Sequence, residues 1–187
     1  MTERTQQGFT LLELLITIAV IGVLAASAYP ILDVIDKRRV QGAAEDIYGM
    51  AQFARSEAIK QSRDIFLVAQ SGGGAWCAGV SEVADCDCTI TDPTDPAACV
   101  ISVDNAGVQT NVLKTITSAT FPQTTMTSTD FGATFDPVRG TVAGNGTITL
   151  QHATKTAMSL SVVVSRMGRV RMCVPTGKTP MGGYSGC

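Results

Sequence analysis

The sequence has little of what a catalytic or metal site requires. Its 187 residues include a single histidine, His152, and aromatic residues make up only 5% of the chain. Charged residues are 16%, against about a quarter in ordinary soluble domains. These shortages argue against an imidazole-rich metal centre and against a nucleophile–base pair, so we expect no enzyme, no cofactor and no metal. Proline is missing between Pro30 and Pro93, which leaves room for a long helix.

An apolar run follows the polar N-terminal residues. Residues 14–32 are 19 residues without a charge, and as a helix they would be roughly 28 Å long, close to the thickness of a bilayer core. A buried core helix is one alternative. A secretory signal peptide is another, because residues 25–28 are small, but the run is long for that role and carries Glu13 near its start. We expect a membrane-spanning helix.

Glu13 is the informative charge at the start of this run. An unpartnered carboxylate costs about 2.5–3.5 kcal/mol near the bilayer centre, and no basic residue lies within one helical turn of it. Its partner should therefore come from another molecule. The amino group that cleavage between Gly8 and Phe9 would expose on a neighbouring subunit is a suitable partner.

The string GFTLLELL at residues 8–15 resembles the class III signal of type IV prepilins and type II secretion pseudopilins. The resemblance implies that a prepilin peptidase cuts after Gly8 and N-methylates Phe9, and that Glu13 is the assembly carboxylate. It also implies three segments, namely a leader peptide at 1–8, a transmembrane and filament-core helix at 9–36, and a periplasmic head at 37–187. Gly22 and Pro30 resemble the helix-weakening positions of that family, and Pro30 predicts a kink by its chemistry alone.

Beyond Asp33 the helical pattern becomes amphipathic. Small apolar residues recur at three- or four-residue spacing and predict one buried stripe, formed by Val40, Ala44, Ile47, Ala51, Ala54 and Ala58. We expect one helix from Phe9 to about Ser62. From residue 63 onward the pattern has period two and predicts strands at 65–69, 75–80, 100–103, 112–116, 147–151, 159–165 and 169–174.

The order of these elements predicts an α+β protein. A long helix followed by antiparallel strands indicates a head whose sheet, at residues 63–187, packs on the helix. By resemblance this is the type IV pilin fold, a long N-terminal helix on an antiparallel sheet with disulfides. Residues 77–99 form a Cys-rich insertion, and its central part, residues 81–98, lacks an apolar pattern and is expected on the surface.

All six cysteines follow the apolar run and lie in the part expected outside the cytoplasm. An even count in an oxidising compartment favours disulfides, and a zinc site is disfavoured because Cys86 and Cys88 are badly spaced for one. Our preferred pairing joins Cys173 to Cys187. The other four, Cys77, Cys86, Cys88 and Cys99, pair among themselves in an order left open, except that Cys86 and Cys88 choose different partners.

Charge is unevenly distributed along the chain. Residues 64–136 carry nine acids and one base, whereas residues 137–187 carry six bases and no acid, namely Arg139, Lys155, Arg166, Arg169, Arg171 and Lys178. On a strand, Arg169 and Arg171 would project from one face about 7 Å apart and could bind neighbouring phosphates, while Val170 and Met172 face the core. The alternatives are a solvated face or a contact with acids of another subunit.

Residues 168–171, Gly-Arg-Val-Arg, resemble the GRxR motif of FimT-type minor pilins, which bind DNA in natural transformation. FimU-type minor pilins and the pseudopilin H subunit of type II secretion carry similar stretches. The resemblance implies that Gly168, Arg169 and Arg171, helped by Arg166 and Lys178, bind double-stranded DNA.

By this resemblance the chain is a minor type IV pilin of the FimT/FimU type that primes or caps the pilus. Its expected partners are other major and minor pilins, the prepilin peptidase and the inner-membrane assembly platform. It would reside in the inner membrane with its head in the periplasm and then in the extracellular pilus. The alternatives are an assembly-only minor pilin and a type II secretion pseudopilin.

Overall fold

The protein is described from a computed structural model that covers residues 9–105, 107–128 and 130–187, without the side chains of residues 27–31 and 105. Helix α1 spans Leu11–Gln61 and is the only helix in these ranges. It begins directly after Thr10, whose Oγ1 accepts a hydrogen bond from the backbone N–H of Glu13 at 3.3 Å. This is an N-cap of the usual kind, because the side chain satisfies one of the helix's unpaired donors. Ser62, with φ of 54°, ends the helix in the left-handed region.

The chain divides into two compact units, Met1–Asp36 and Lys37–Cys187. The described part of the first unit is helical, and its backbone stays helical through Gly22 and Pro30. The large apolar side chains of residues 9–24 are exposed. Among the residues that the structure describes, no helix is both long enough and apolar enough to cross a membrane. The span expected at 9–36 includes residues 27–31, whose side chains the structure does not describe. Gly8 and the rest of the leader expected at 1–8 also lie outside the described residues.

The head, residues 37–187, contains the buried stripe of α1. All six predicted stripe residues are completely buried, which confirms the helical periodicity. They share one hydrophobic cluster with residues of two antiparallel sheets, so the helix is part of the core of the head. Glu57 is buried as well, and its carboxylate accepts hydrogen bonds from Gln61 at 2.7 Å and Lys60 at 3.4 Å.

Eleven strands follow the helix in the described residues. In chain order they are β1 Ile65–Gly72, β2 Ala75–Ser81, β3 Val100–Asn105, β4 Val108–Leu113, β5 Thr115–Thr117, β6 Thr124–Met126, β7 Phe131–Phe135, β8 Val142–Ala143, β9 Gly146–His152, β10 Ser159–Val164 and β11 Val170–Cys173. One sheet has the order β5-β2-β1-β7-β8, the second has the order β11-β10-β9-β6, and β3 and β4 form a separate ribbon. The antiparallel strands of the head therefore form two sheets and a ribbon.

The strand expected at 112–116 is wrong, because the chain changes partners in its middle. Lys114 separates β4 from β5, and its N–H donates to the carbonyl of Cys99 at 3.1 Å, while its own carbonyl accepts from Val80 at 2.9 Å. The chain thus leaves the ribbon at Lys114 and joins the first sheet. Strands β6, β7 and β8 were not expected, since they are short and lie in Thr- and Gly-rich sequence.

Trp76 on β2 joins the two sheets. It is almost completely buried, and its indole N–H donates to the carbonyl and the hydroxyl of Thr124 on β6, at 3.2 and 3.1 Å. The ring of Phe121 stacks on it with centroids 6.4 Å apart. Because Gly42 on α1 has no side chain, this ring also lies close to the helix. The chain's single tryptophan thereby fixes the second sheet against the first.

Three disulfides lie within the head, and they join Cys77 to Cys88, Cys86 to Cys99, and Cys173 to Cys187. The first two form a small buried cluster with Val68, beneath the turns of the Cys-rich segment. Cys86 and Cys88 are fully buried, whereas Asp92 and most other residues between Cys88 and Cys99 are exposed. In the chain-entropy view each such loop closure contributes about 3 kcal/mol to stability.

Candidate nucleic-acid interface

The N-terminal residues place an acid in an exposed apolar helix. Phe9 is exposed by 83%, and Glu13 lies in the first turn of α1, where its backbone N–H is held by Thr10. Thr10 and Glu13 have the spacing of a capping box, so Glu13 also complements the positive end of the helix dipole. In the part of the chain that the structure describes, the carboxylate of Glu13 makes no ion pair within its own subunit.

The GRxR stretch lies at the hairpin between β10 and β11. Ser165 closes the turn: its N–H donates to the carbonyl of Arg169 at 2.9 Å, its carbonyl accepts from Gly168 at 2.9 Å, and its hydroxyl accepts from the N–H of Arg169 at 3.1 Å. Arg169 is therefore the last turn residue, and β11 begins at Val170. The expectation that Arg169 belongs to the strand is wrong, because these hydrogen bonds hold it in the turn.

Both arginines nevertheless meet at one place. Arg169 and Arg171 are exposed, Val170 between them is buried, and Met172 is half-buried. Because Arg171 pairs with Val163 of β10 in register, its side chain leaves the same face of the sheet as Val163. Arg169 and Arg171 both line a groove of ≈ 660 Å³ beside the edge strand β11.

A third arginine, Arg55 of α1, lines the same groove together with Gln52. Its Nη1 donates to the carbonyl oxygen of Gly168 at 3.2 Å, across 113 residues of sequence. This role of Arg55 was not expected from the sequence. The only local signal is its spacing from Gln52 and Ile59, which puts the three side chains along one edge of the buried stripe.

The backbone geometry at position 168 requires glycine. Its φ is +73°, and a methyl group at its α-carbon would overlap the carbonyl oxygen of Gly140. Glycine is the residue that adopts this conformation and permits this approach. The turn that carries Arg169 is therefore seated directly on the turn that contains Gly140, with Arg55 beside both.

The other two basic residues expected to help do not line the groove. Arg166 is exposed, and its Nε donates to the side-chain oxygen of Asn145 at 2.9 Å. Lys178 is half-buried, and its Nζ donates to the backbone carbonyl of Thr156 at 2.8 Å. The groove thus combines Arg55, Arg169 and Arg171.

The C-terminal loop is fastened to α1 near its disulfide. The hydroxyl of Tyr184 donates to the carboxylate of Glu45 at 2.6 Å, and the amide of Gln41 donates to the same carboxylate at 2.7 Å. These two hydrogen bonds, that of Tyr184 first, hold the pKa of Glu45 below its ordinary value. Burial, and then the hydrogen bond to Glu45, raise the pKa of Tyr184.

Two aspartates of the Cys-rich segment, one half-buried and one exposed, stabilise its turns. Asp87 accepts hydrogen bonds from the hydroxyl and N–H of Thr89, and Asp92 does the same for Thr94, at 2.6–2.9 Å. In each case the hydroxyl, followed by the N–H, lowers the pKa of the carboxyl group. Within the described residues no group of three acids, cysteines or histidines is arranged to hold a metal ion.

Comparison with known proteins agrees with these features. The model of the prokaryotic N-terminal methylation motif matches residues 4–29. The long helix packed on antiparallel sheets with disulfides confirms the expected fold class of a pilin-like subunit. The model of the type II transport protein GspH matches residues 43–168, most of the head. The chain belongs to the GspH family, which confirms the family expected from residues 8–15 and 168–171.

Two solved structures are similar in fold, both crystal forms of the type IV minor pilin FimU of Pseudomonas aeruginosa. One is 22% identical, with a TM-score of 0.44, and covers 79% of this chain and 96% of its own. The other is 23% identical, with a TM-score of 0.41, and covers 77% and 99%. No curated protein matches the chain in sequence.

Proposed function

We propose that this member of the GspH family is a minor type IV pilin that enters the filament through its N-terminal helix and binds duplex DNA through the arginine groove. The groove is defined by Arg55, Arg169 and Arg171. We further propose that the subunit resides in the inner membrane with its head in the periplasm before it joins the extracellular pilus.

The proposal for assembly rests on Glu13. Residues 14–32 carry no charge, so a filament that buries these helices side by side would also bury the carboxylate. Cleavage after Gly8 would give each subunit a free amino group at Phe9. The match of residues 4–29 to the methylation motif supports this processing. The partners of Glu13 and Phe9 would then be the major and minor pilins on either side.

The proposal for DNA binding is carried by three arginines that line one groove. Arg169 and Arg171 are exposed and adjacent, and Arg55 joins them from a different element. Residues 137–187 contain no acid, so nothing in that third of the chain offers these groups a carboxylate. Guanidinium groups bind phosphate oxygens in bidentate fashion, and such contacts are independent of base sequence.

Gel retardation tests this proposal. The purified full chain in detergent should retard a duplex of mixed sequence at low salt, and Arg169→Gln with Arg171→Gln should abolish the shift. A charge-matched control, Lys37→Gln with Arg38→Gln, removes two positive charges from α1 outside the groove and should retain it. Absence of a shift with the wild-type chain would refute the DNA role, and equal loss in the control would show attraction by net charge alone.

A second candidate is a pseudopilin of a type II secretion system, and the description of the matching family model favours it. In that case the arginine groove would contact acidic side chains of another pseudopilin rather than phosphates. Crosslinking from position 169 in cells separates the two functions. A crosslink to DNA supports the pilus function, and a crosslink only to other pseudopilins supports secretion.

A further inference from the structure

The most exposed large aliphatic side chains of the head lie on two turns that touch each other. Among the described residues of the head, Val138 is exposed by 88% and Met167 by 82%, more than any other large hydrophobic side chain. Isolated exposed apolar residues are ordinary on protein surfaces. Here, however, the turn of Met167 is seated on the turn of Val138 through Gly168 and Gly140.

Both turns are held by hydrogen bonds of their own. The carboxylate of Asp136 accepts from the N–H of Val138 at 2.9 Å and from the N–H of Arg139 at 2.7 Å, and the carbonyl of Asp136 accepts from Gly140. The turn of Met167 is closed by Ser165 in the same manner. The two aliphatic side chains are therefore presented by ordered backbone rather than by a loose loop.

The two turns are also tied to each other and to the helix. The N–H of Val142 donates to the carbonyl of Arg166 at 2.8 Å, and Arg55 donates to the carbonyl of Gly168. A rigid pair of turns loses little conformational entropy when it binds a partner. We name the side chains of Val138 and Met167 the apolar wedge.

Arginines flank the wedge in sequence. Arg139 follows Val138, Arg166 precedes Met167, and Arg169 leads from the same turn into the arginine groove. The nearest acid in sequence is Asp136, and its carboxylate is occupied by backbone N–H groups. Exposed apolar side chains with arginines as their sequence neighbours, and with Met167 in the same groove as Arg169 and Arg171, fit a partner that offers phosphates beside an apolar stack.

We propose that the apolar wedge inserts between base pairs of duplex DNA and bends it, while the arginine groove holds the adjacent phosphates. This inference rests on the proposed DNA-binding function and deepens it. Proteins that insert aliphatic side chains into the minor groove unstack a base step and bend the duplex by roughly 20–90°. The insertion is easiest at flexible TA steps, so the site gains a preference for deformable sequence without hydrogen bonds to bases.

The test is a bending measurement on the full chain in detergent. A duplex of about 30 base pairs, labelled at both ends and carrying a central TA step, reports bending by energy transfer. Wild-type protein should shorten the end-to-end distance. Met167→Ser with Val138→Ser should leave the duplex straight and lower affinity by about tenfold, because burial of the two side chains is lost while the phosphate contacts remain.

The matched control is Val83→Ser with Val108→Ser, which changes two exposed valines outside both turns. It should bend DNA as the wild type does. If wild-type protein binds without bending, or if the wedge variant still bends the duplex, the inference is wrong and the DNA-binding function stands. If wild-type protein does not bind at all, the proposed function fails, and the inference fails with it. Thermal unfolding verifies that the wedge variant is folded.

Discussion

The α-carbon of Gly168 lies against the carbonyl oxygen of Gly140, and no side chain fits between them. This contact joins the turn of the GRxR motif to the turn of residues 136–140, and Arg55 donates to the carbonyl of Gly168 beside it. The arginine groove therefore depends on a glycine that lets the two turns approach each other. The motif's first residue supports the site, and its arginines form it.

The variant Gly168→Ala tests this dependence. The left-handed backbone and the overlap with Gly140 should cost about 1–3 kcal/mol of unfolding free energy and weaken DNA binding as well. Denaturant unfolding measures the first effect and gel retardation the second. The control is Gly182→Ala, because a methyl group at Gly182 would have no heavy atom within 4 Å and the backbone there is not left-handed. Equal stability of the two variants would contradict the close approach.

The hydrogen bond between Tyr184 and Glu45 predicts a pH dependence. Because the folded-state pKa of Glu45 lies below its ordinary value of 4.5, its contribution to stability is present above that pH and is lost as the pH falls through the folded pKa. Tyr184→Phe removes the hydrogen bond that lowers the pKa of Glu45 most. It should flatten the dependence of unfolding free energy on pH in the acidic range, as measured by urea unfolding from about pH 6 to about pH 3. An unchanged dependence would show that the hydrogen bond is absent in solution.

The Cys86–Cys99 disulfide predicts that only glycine fits at position 79. A methyl group at Gly79 on β2 would lie within 2.6 Å of the Cβ of Cys99, too close for the Cys86–Cys99 bridge to keep its place. Gly79→Ala should lower stability by about 1–3 kcal/mol through overpacking. Gly72→Ala, with nothing within 4 Å, should be nearly neutral.

Peptide mapping without reduction checks the pairing itself. Fragments that link Cys77 to Cys88, Cys86 to Cys99 and Cys173 to Cys187 are expected in the wild-type chain. Fragments that link Cys77 to Cys99 would contradict the arrangement on which the requirement at Gly79 depends.

Glu13→Ala tests the charge pairing in assembly. Processing after Gly8 should continue, because cleavage precedes assembly, whereas incorporation into sheared filaments should fall because the amino group of Phe9 loses its partner. Immunoblots of membrane and filament fractions measure both. Thr10→Ala serves as a control, since it removes the N-cap of α1 and keeps the carboxylate. Normal incorporation of Glu13→Ala would refute the intersubunit pair.

Strong periodicity explains which elements were predictable. The stripe from Val40 to Ala58 and strands β1, β2, β9 and β10 carry enough apolar residues at regular spacing to be placed within a few residues. Strands β6 and β7 contain threonine and glycine, and they become strands only because β9 and β1 supply partners. The change of sheet at Lys114 likewise depends on backbone groups of Cys99 and Val80, distant in sequence.

The candidate site was half predictable for the same reason. Arg169 and Arg171 stand close together in sequence and can be recognised as a pair. Arg55 contacts the backbone of Gly168, next to Arg169, across 113 residues, and no local pattern indicates that contact. The need for glycine at position 168 was not predictable either, because it arises from the close approach of the carbonyl oxygen of Gly140, which is not a neighbour in sequence.

The salt dependence of DNA affinity tests the central claim most directly. Each phosphate contact that is lost should reduce the slope of log affinity against log salt by about 0.9. Fluorescence anisotropy of a labelled duplex should therefore show a slope about one unit shallower for each of the single variants Arg55→Gln, Arg169→Gln and Arg171→Gln. Slopes equal to that of the wild-type chain in all three variants would contradict a DNA site built from Arg55, Arg169 and Arg171.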